Sequence, residues 1–227
     1  MIVLGFDTAT PRTAVALQGA AGEAPRELVH DPDEGERPGH ATHLLPLAAR
    51  LLADAGLGFA DVGLLAVGVG PGTFTGVRIG VATARALAQA SSTPLAGVSS
   101  LRALADGVAA HDVLAVIDAR RGEAFVAGFS GGTEVLAPAA LGPDALARLA
   151  PPAGGGAWLA AGDGAVRFRE ALERAGATVL PDIDPAHRIS AAAICRLARA
   201  AGAVPRDEVL PVYVRAPDAT ASRVGRG

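Results

Sequence analysis

The chain has 227 residues, half of them hydrophobic, and a formal net charge of −3, which suffices for one large domain or two lobes with a real core but argues against holding nucleic acid unaided. All 20 basic residues are arginine, which excludes a P-loop lysine, a lysine Schiff base and a Ser-Lys dyad. The lone Cys195 rules out an internal disulfide, no apolar run reaches the roughly 18 residues of a membrane span, and the opening Met1-Ile2-Val3-Leu4-Gly5-Phe6-Asp7 lacks a positive leader, so a soluble cytoplasmic protein is expected.

Residues 2–7 form an apolar run ending in Asp7, and Thr8-Ala9-Thr10-Pro11 turns it into a second strand at 13–18, a hairpin signal. A third strand is expected near 26–30, followed by a polar loop at 31–39. Leu44, Leu45, Leu47, Leu51 and Leu52 recur at helical spacing, so 41–56 is expected to be a helix with Gly56 near its end. A buried strand at 64–69, a glycine-rich turn at 70–76, a helix of small residues at 77–90 and a short strand at 94–98 complete the first half. The second half repeats the order. A strand at 113–117 runs into Asp118, a turn at 119–122 leads to a strand at 123–129, and Gly131-Gly132 leads to a third near 134–137. Helical patterns at 143–149 and 166–175 flank a short strand at 157–161, a helix covers 189–202, and 216–227 read as a loose tail. The strand-strand-strand-helix-strand-helix order thus occurs twice in an α/β chain of two lobes, 1–102 and 103–215, each with an Asp closing its first strand. This duplicated arrangement resembles the two-lobed actin, hexokinase and Hsp70 fold, whose units are ribonuclease H-like.

The most distinctive segment is Gly68-Val69-Gly70-Pro71-Gly72-Thr73-Phe74-Thr75-Gly76-Val77-Arg78-Ile79-Gly80, which follows a strand and opens a helix. That placement suits an anion. A dinucleotide site would carry an acidic residue about 20 positions further on, and none lies between Asp61 and Asp106. A Walker loop fails as well, since Val77 follows Gly76. The alternative is structural, with glycines letting the helix approach the sheet. Asp7, Thr8, Gly70, Gly72, Thr73 and Asp118 are candidate phosphate-loop residues. The first loop is small enough for backbone N–H groups to reach a phosphate, whereas Asp118-Ala119-Arg120-Arg121-Gly122-Glu123 carries two bulky arginines. Both aspartates also suit turn capping.

Three other patterns invite chemistry. His40 and His43 share a helix face as a metal pair would, but no acidic or cysteine partner lies near in sequence. Gly128-Phe129-Ser130-Gly131-Gly132 matches the hydrolase elbow, with Asp163, Asp182, Asp184 and His187 in the required chain order. An elbow needs a helix directly after its serine, and Gly131-Gly132 is hairpin chemistry. Cys195 lies mid-helix and reads as a small hydrophobe.

Helices 41–56 and 77–90 carry more apolar surface than one sheet face covers, which suggests a subunit contact. Several stretches together resemble the TsaB family: Leu4-Gly5-Phe6-Asp7-Thr8-Ala9-Thr10, His40 through Leu44-Leu45-Pro46, the segment 67–80, Gly97-Val98-Ser99-Ser100-Leu101, Ile117-Asp118-Ala119-Arg120 with Gly122-Glu123, and Pro211-Val212-Tyr213-Val214-Arg215. They occur in order along nearly the whole chain, and the Gly-Pro-Gly-Thr-Phe-Thr-Gly-Val-Arg-Ile-Gly run is the most specific. The resemblance implies a non-catalytic subunit that binds TsaD, the threonylcarbamoyl transferase acting beside the tRNA anticodon, with the ATPase TsaE joining the assembly. It implies a homodimer when the subunit is alone, tRNA contact only through the complex, and no intrinsic cofactor or metal. ATP or ADP at the complex interface is left open. TsaD carries a His-x-x-x-His metal pair where this chain has Ser100 and Leu104. The expected partner face is Leu44, Leu45, Ala48, Leu52, Arg78, Val81, Ala82 and Arg85. An actin-fold phosphotransferase and a glycoprotease-like peptidase at Ser130 are the competing readings.

Overall fold

The computed structural model describes residues 1–19, 23–33 and 35–214. Arg215 and the expected tail at 216–227 lie outside the described residues. The first sheet comprises β1 (Val3–Asp7), β2 (Thr13–Gln18), β3 (Arg26–His30), β4 (Leu64–Gly68) and β5 (Leu95–Val98), in the order β3-β2-β1-β4-β5. The second comprises β6 (Asp112–Arg120), β7 (Glu123–Ser130), β8 (Thr133–Leu141), β9 (Leu159–Ala161) and β10 (Thr178–Val179), in the order β10-β9-β6-β7-β8. Read from opposite ends these are one topology. The first strand sits centrally, antiparallel to the second and parallel to the fourth, with Phe6 opposite Val15 and Val67 in one sheet and Ala115 opposite Ala127 and Ala161 in the other. The duplicated plan of the two-lobed actin and hexokinase fold is therefore present.

β1, β2 and β4 are buried along their whole length, which explains their unbroken apolar runs: a sheet covered on both faces has no polar side to alternate with. Helices α1 (His40–Ala53) and α2 (Phe74–Ser91) cover one face. Between the sheets lie α3 (Ser100–Asp106) and α7 (Ala191–Ala201), and behind the second sheet lie α4 (Pro143–Leu146), α5 (Asp163–Arg167) and α6 (Arg169–Arg174). On β6, Val113, Ala115 and Ile117 belong to the core shared with the first sheet, while Leu114 and Val116 belong to the smaller core behind, with Trp158 and Leu172. The alternation follows from the two-residue repeat of a strand.

β10 is not expected from the sequence, the helix expected at 166–175 is split into α5 and α6, and three further elements depart from the sequence expectation. α2 begins at Phe74 rather than 77, because the glycines that weaken its first turn on propensity are held by contact with the β1–β2 loop. α3 carries no periodic signal long enough to read; its start is fixed by Ser99, whose side chain accepts from Arg102 N at 3.3 Å. β8 extends over nine residues with Pro138 inside it, which an edge strand tolerates. Among the described residues no helix is long and apolar enough to cross a membrane.

The main long-range event is the return of the chain to the first sheet. α7 follows the second sheet in sequence yet packs on β1 and β2. Val204 N then donates to Leu95 O at 3.0 Å and Val212 N to Val69 O at 2.8 Å. The approach is close because residues on both sides are small: a Cβ on Gly5 would stand 2.6 Å from Cys195 Sγ and 3.3 Å from Ala191 O. Burial pushes the Cys195 thiol up to about 12, which makes it a space-filling group rather than a nucleophile at neutral pH. Gly5→Ala is expected to destabilise the fold by about 1–3 kcal/mol through overpacking. Adding Cys195→Ala should recover part of that loss. Urea denaturation of the two single variants and the double variant checks the coupling, and strictly additive effects would contradict the packing described.

Candidate functional site

The first candidate loop joins β1 to β2 and is pressed onto the start of α2. Ala9 N donates to Asp7 Oδ1 at 2.8 Å, Thr8 Oγ1 donates to Gly76 O at 2.7 Å, and Thr73 N donates to Ala9 O at 2.7 Å. A Cβ on Gly68, Gly72, Gly76 or Gly80 would overlap Asp7 Oδ2, Ala9 O, Thr8 O or Thr8 Oγ1 respectively. Ser100, the first residue of α3, bridges the two loops: its Oγ donates to Asp7 Oδ2 at 2.7 Å and accepts from Gly70 N at 3.2 Å, while its N–H donates to Gly70 O at 2.8 Å. Asp7, Thr8, Gly70, Gly72 and Thr73 thus come together, apart from Asp118. Several N–H groups that a phosphate would need, those of Ala9, Gly70 and Thr73, already have protein acceptors. Burial pushes the Asp7 carboxyl upward, against the lowering effect of its Ser100 and Ala9 hydrogen bonds.

The second loop is built differently. Asp118, at the corresponding place on β6, accepts from Arg120 N at 2.8 Å through Oδ1 and from Arg167 Nη1 at 2.8 Å through Oδ2. Arg120 Nη1 lies 3.3 Å from the same Oδ2. Asp118 N donates to Asp163 Oδ1 at 2.9 Å, and burial pushes the Asp163 carboxyl upward. Arg120 at φ +61° and Arg121 at φ +52° precede Gly122 at φ +80°. Two non-glycine residues in the left-handed region cost about 1–2 kcal/mol each. The Asp118–Arg120 and Asp118–Arg167 pairs help to hold this turn. The guanidinium groups of Arg120 and Arg167 surround this carboxylate.

The two histidines take separate partners. His40 is buried with Nδ1 2.8 Å from Thr13 Oγ1, and burial lowers its pKa. His43 stacks on His30 with ring centroids 3.6 Å apart. Among the described residues no group of three or more His, Cys, Asp or Glu side chains is placed to hold a metal. Ser130 ends β7 just before Gly131 and Gly132, both at positive φ, and donates to Asp112 rather than to an imidazole. His187 instead faces the backbone of Gly162 and the carbonyl of Pro181. The elbow pattern is a hairpin.

The expected partner face is half core. Leu44, Ala48 and Leu52 on α1 and Val81 on α2 are buried against the chain's own sheet, and the expectation that they meet a partner is corrected. Their spacing of four is the inward stripe of each helix. The residues left outside are Leu45 on α1 and Arg78 and Ala82 on α2, with Arg85 half-exposed and paired to Asp207 at 3.1 Å. The exposed stripe continues through Ala41 and Ala49 on α1 and Phe74 and Ala86 on α2. The sequence reading missed a cluster at its edge. Arg78 lies over the Phe74 ring at 3.6 Å and donates through Nε to the Tyr213 hydroxyl at 2.7 Å, 135 positions away.

The buried Asp7 carries a testable consequence. Its raised folded-state pKa means that the folded protein holds a proton the unfolded chain releases above 3.8, so its contribution to stability falls as pH rises through that window. Asp7→Asn cannot lose that proton. Its stability relative to the wild type is expected to rise from pH 4 to pH 7, with a slope of at most about 1.4 kcal/mol per pH unit. Denaturation curves across that range check this, and a pH-independent difference would rule out the buried, raised carboxyl.

Comparison with known proteins agrees with this architecture. A family model described as "TsaD: tRNA N6-adenosine threonylcarbamoyltransferase" matches residues 32–195. An uncharacterized protein of Mycobacterium tuberculosis H37Rv is 34% identical over 217 residues, 96% of this chain and 93% of that one. The tRNA threonylcarbamoyladenosine biosynthesis protein TsaB of Escherichia coli is 41% identical over 130 residues, 55% of this chain and 53% of its own length. The solved structure of YeaZ from Pseudomonas aeruginosa superimposes with a TM-score of 0.75 at 31% identity, covering 93% of this chain and 99% of that one. The chain belongs to the TsaB (YeaZ) family of tRNA threonylcarbamoyladenosine biosynthesis proteins.

Proposed function

We propose that the chain is the non-catalytic subunit that binds TsaD and supports its transfer of threonylcarbamoyl to the adenosine beside the tRNA anticodon. The observation that carries this reading is the outer face of α1 and α2. Ala41, Leu45 and Ala49 on one helix and Ala82 and Ala86 on the other leave small and apolar side chains exposed, with Arg78 and Arg85 beside them, and small side chains on two adjacent helices allow two further helices to approach closely. A homodimer through the same face is the expected state of the subunit alone.

A catalytic role for the chain itself is disfavoured by its own residues. Ser100 and Leu104 stand where the TsaD resemblance puts a metal-binding histidine pair. Ser100 is committed to Asp7 and Gly70, and Leu104 is buried in the core. The two loops that would hold phosphates are occupied by protein hydrogen bonds in one case and by Arg120 and Arg167 in the other. This reading leaves an ATP or ADP at the interface of the complex open, with TsaE joining the assembly and tRNA contacted through it.

Ala82→Asp is expected to leave the fold intact, because Ala82 is exposed, and to weaken pairing with TsaD by at least about 100-fold, since a charge buried without a partner costs several kcal/mol. Leu44→Ala should do the opposite. It should lower stability by about 2–5 kcal/mol, as truncation of a buried leucine does, while the folded fraction still pairs. Light scattering after size exclusion, with this chain and TsaD alone and mixed, reads the pairing; threonylcarbamoylation of tRNA by the same samples should require both proteins. Tight pairing of Ala82→Asp would place the contact elsewhere, and activity from this chain alone would overturn the non-catalytic reading.

A further inference from the structure

A cleft of about 150 Å³ lies between α3 and the β7–β8 turn, lined by Arg102, Ala105, Asp106, Val108, Ala110, His111, Val113, Phe129 and Gly132. Its inner wall is apolar, with Val108, Val113 and Phe129 buried. Its mouth carries Arg102, whose guanidinium lies 5.2 Å from the centroid of the Phe129 ring and across Gly132, where a Cβ would stand 3.2 Å from Nη2.

The charges around the cleft are distributed unequally. Asp106, one helical turn beyond Arg102, would be its natural ion-pair partner. That carboxylate is taken by Arg196 on α7, which reaches Oδ2 with Nη2 at 2.7 Å and Nε at 3.2 Å. Asp112, beside the mouth, accepts from Ser130 and from His111 Nδ1 at 3.1 Å. Among the described residues the Arg102 guanidinium has neither an ion pair nor a hydrogen bond. It is only half-exposed, so its position is set by the ring beneath it and the glycine beside it, not by a counter-charge.

We infer that this cleft binds a small organic carboxylate, with the carboxylate on Arg102 and a short apolar body against Phe129, Val108 and Val113. A planar guanidinium offers two parallel N–H donors that match a carboxylate. A space of this size takes a body the size of benzene. Of the polar side chains lining the cleft, Asp106 is held by Arg196 and His111 by Asp112, which leaves Arg102 as the group beside an apolar wall that a small-molecule site uses. A Cβ at Gly132 would stand 3.2 Å from Nη2, so the guanidinium would have to give by a few tenths of an ångström. The site lies on residues outside both candidate phosphate loops and the α1–α2 face, so it stands independently of the proposed function.

The test is an NMR titration of the full chain with benzoate, using benzamide as the neutral control of the same shape and inorganic phosphate as the anion without an apolar body. Saturable shifts of the Phe129, Gly131 and Gly132 amides with benzoate, at least tenfold weaker with each of the other two, are expected. Arg102→Gln should weaken benzoate at least tenfold, and Arg102→Lys, which keeps the charge but loses the fork, should fall between. If Arg102→Gln fails to fold, the Lys variant carries the comparison. Equal binding of benzamide, preference for phosphate, unchanged affinity in Arg102→Lys and Arg102→Gln, or no shift up to the solubility of the salt would each overturn the inference.

Discussion

Gly68, Gly72, Gly76 and Gly80 recur every four residues, and a Cβ at any of them would overlap the loop from Asp7 to Ala9. This close approach is the constraint on which the rest of the first sheet depends. It brings β1 and the start of α2 near enough for Thr8 to bond Gly76 O and for Thr73 N to bond Ala9 O. The same proximity lets Ser100 tie Asp7 to Gly70, which fixes the start of α3. Glycine lowers helix propensity by about 1 kcal/mol per residue, so packing against the loop offsets what the sequence loses locally.

The consequence for chemistry is direct. A loop that cradles a phosphate must leave N–H groups free and a space before them. Here the N–H groups of Ala9, Gly70 and Thr73 have acceptors and the space is filled by the chain itself. In the second half the turn is held by the opposite means, with charges in place of glycines: Asp118 gathers Arg120 and Arg167 around it. Two equivalent positions of a duplicated fold have thus been closed by different physical routes, one steric and one electrostatic. With both loops closed, the outer surface of α1 and α2 is the part of the first sheet's covering still open to a partner.

The two sheets are joined by elements far apart in sequence. α7 turns the small residues Ala191 and Cys195 toward β1, so it can lie there at the distance Gly5 permits, and Cys195 fills the remaining space as a protonated thiol. The segment after α7 then runs beside the first sheet, and Tyr213 reaches Arg78. Helix α2 is therefore buttressed by a residue near the far end of the described chain.

The sequence by itself determined the duplicated order of strands and helices, the aspartate closing β1, the aspartate near the end of β6 and the glycine-rich opening of α2. These follow from local chemistry: two-residue and 3.6-residue periods, turn residues and side-chain bulk. Tertiary structure alone decided which side of each helix faces out. Leu44 and Leu45 are adjacent leucines, and only the position of the sheet makes one core and the other surface. It also decided the role of Ser100, the return of α7 to the first sheet, the Phe74–Arg78–Tyr213 cluster and an Arg102 that has no ion pair among the described residues. Each depends on contacts between residues that periodicity cannot relate, because their separation along the chain carries no information about their distance in space.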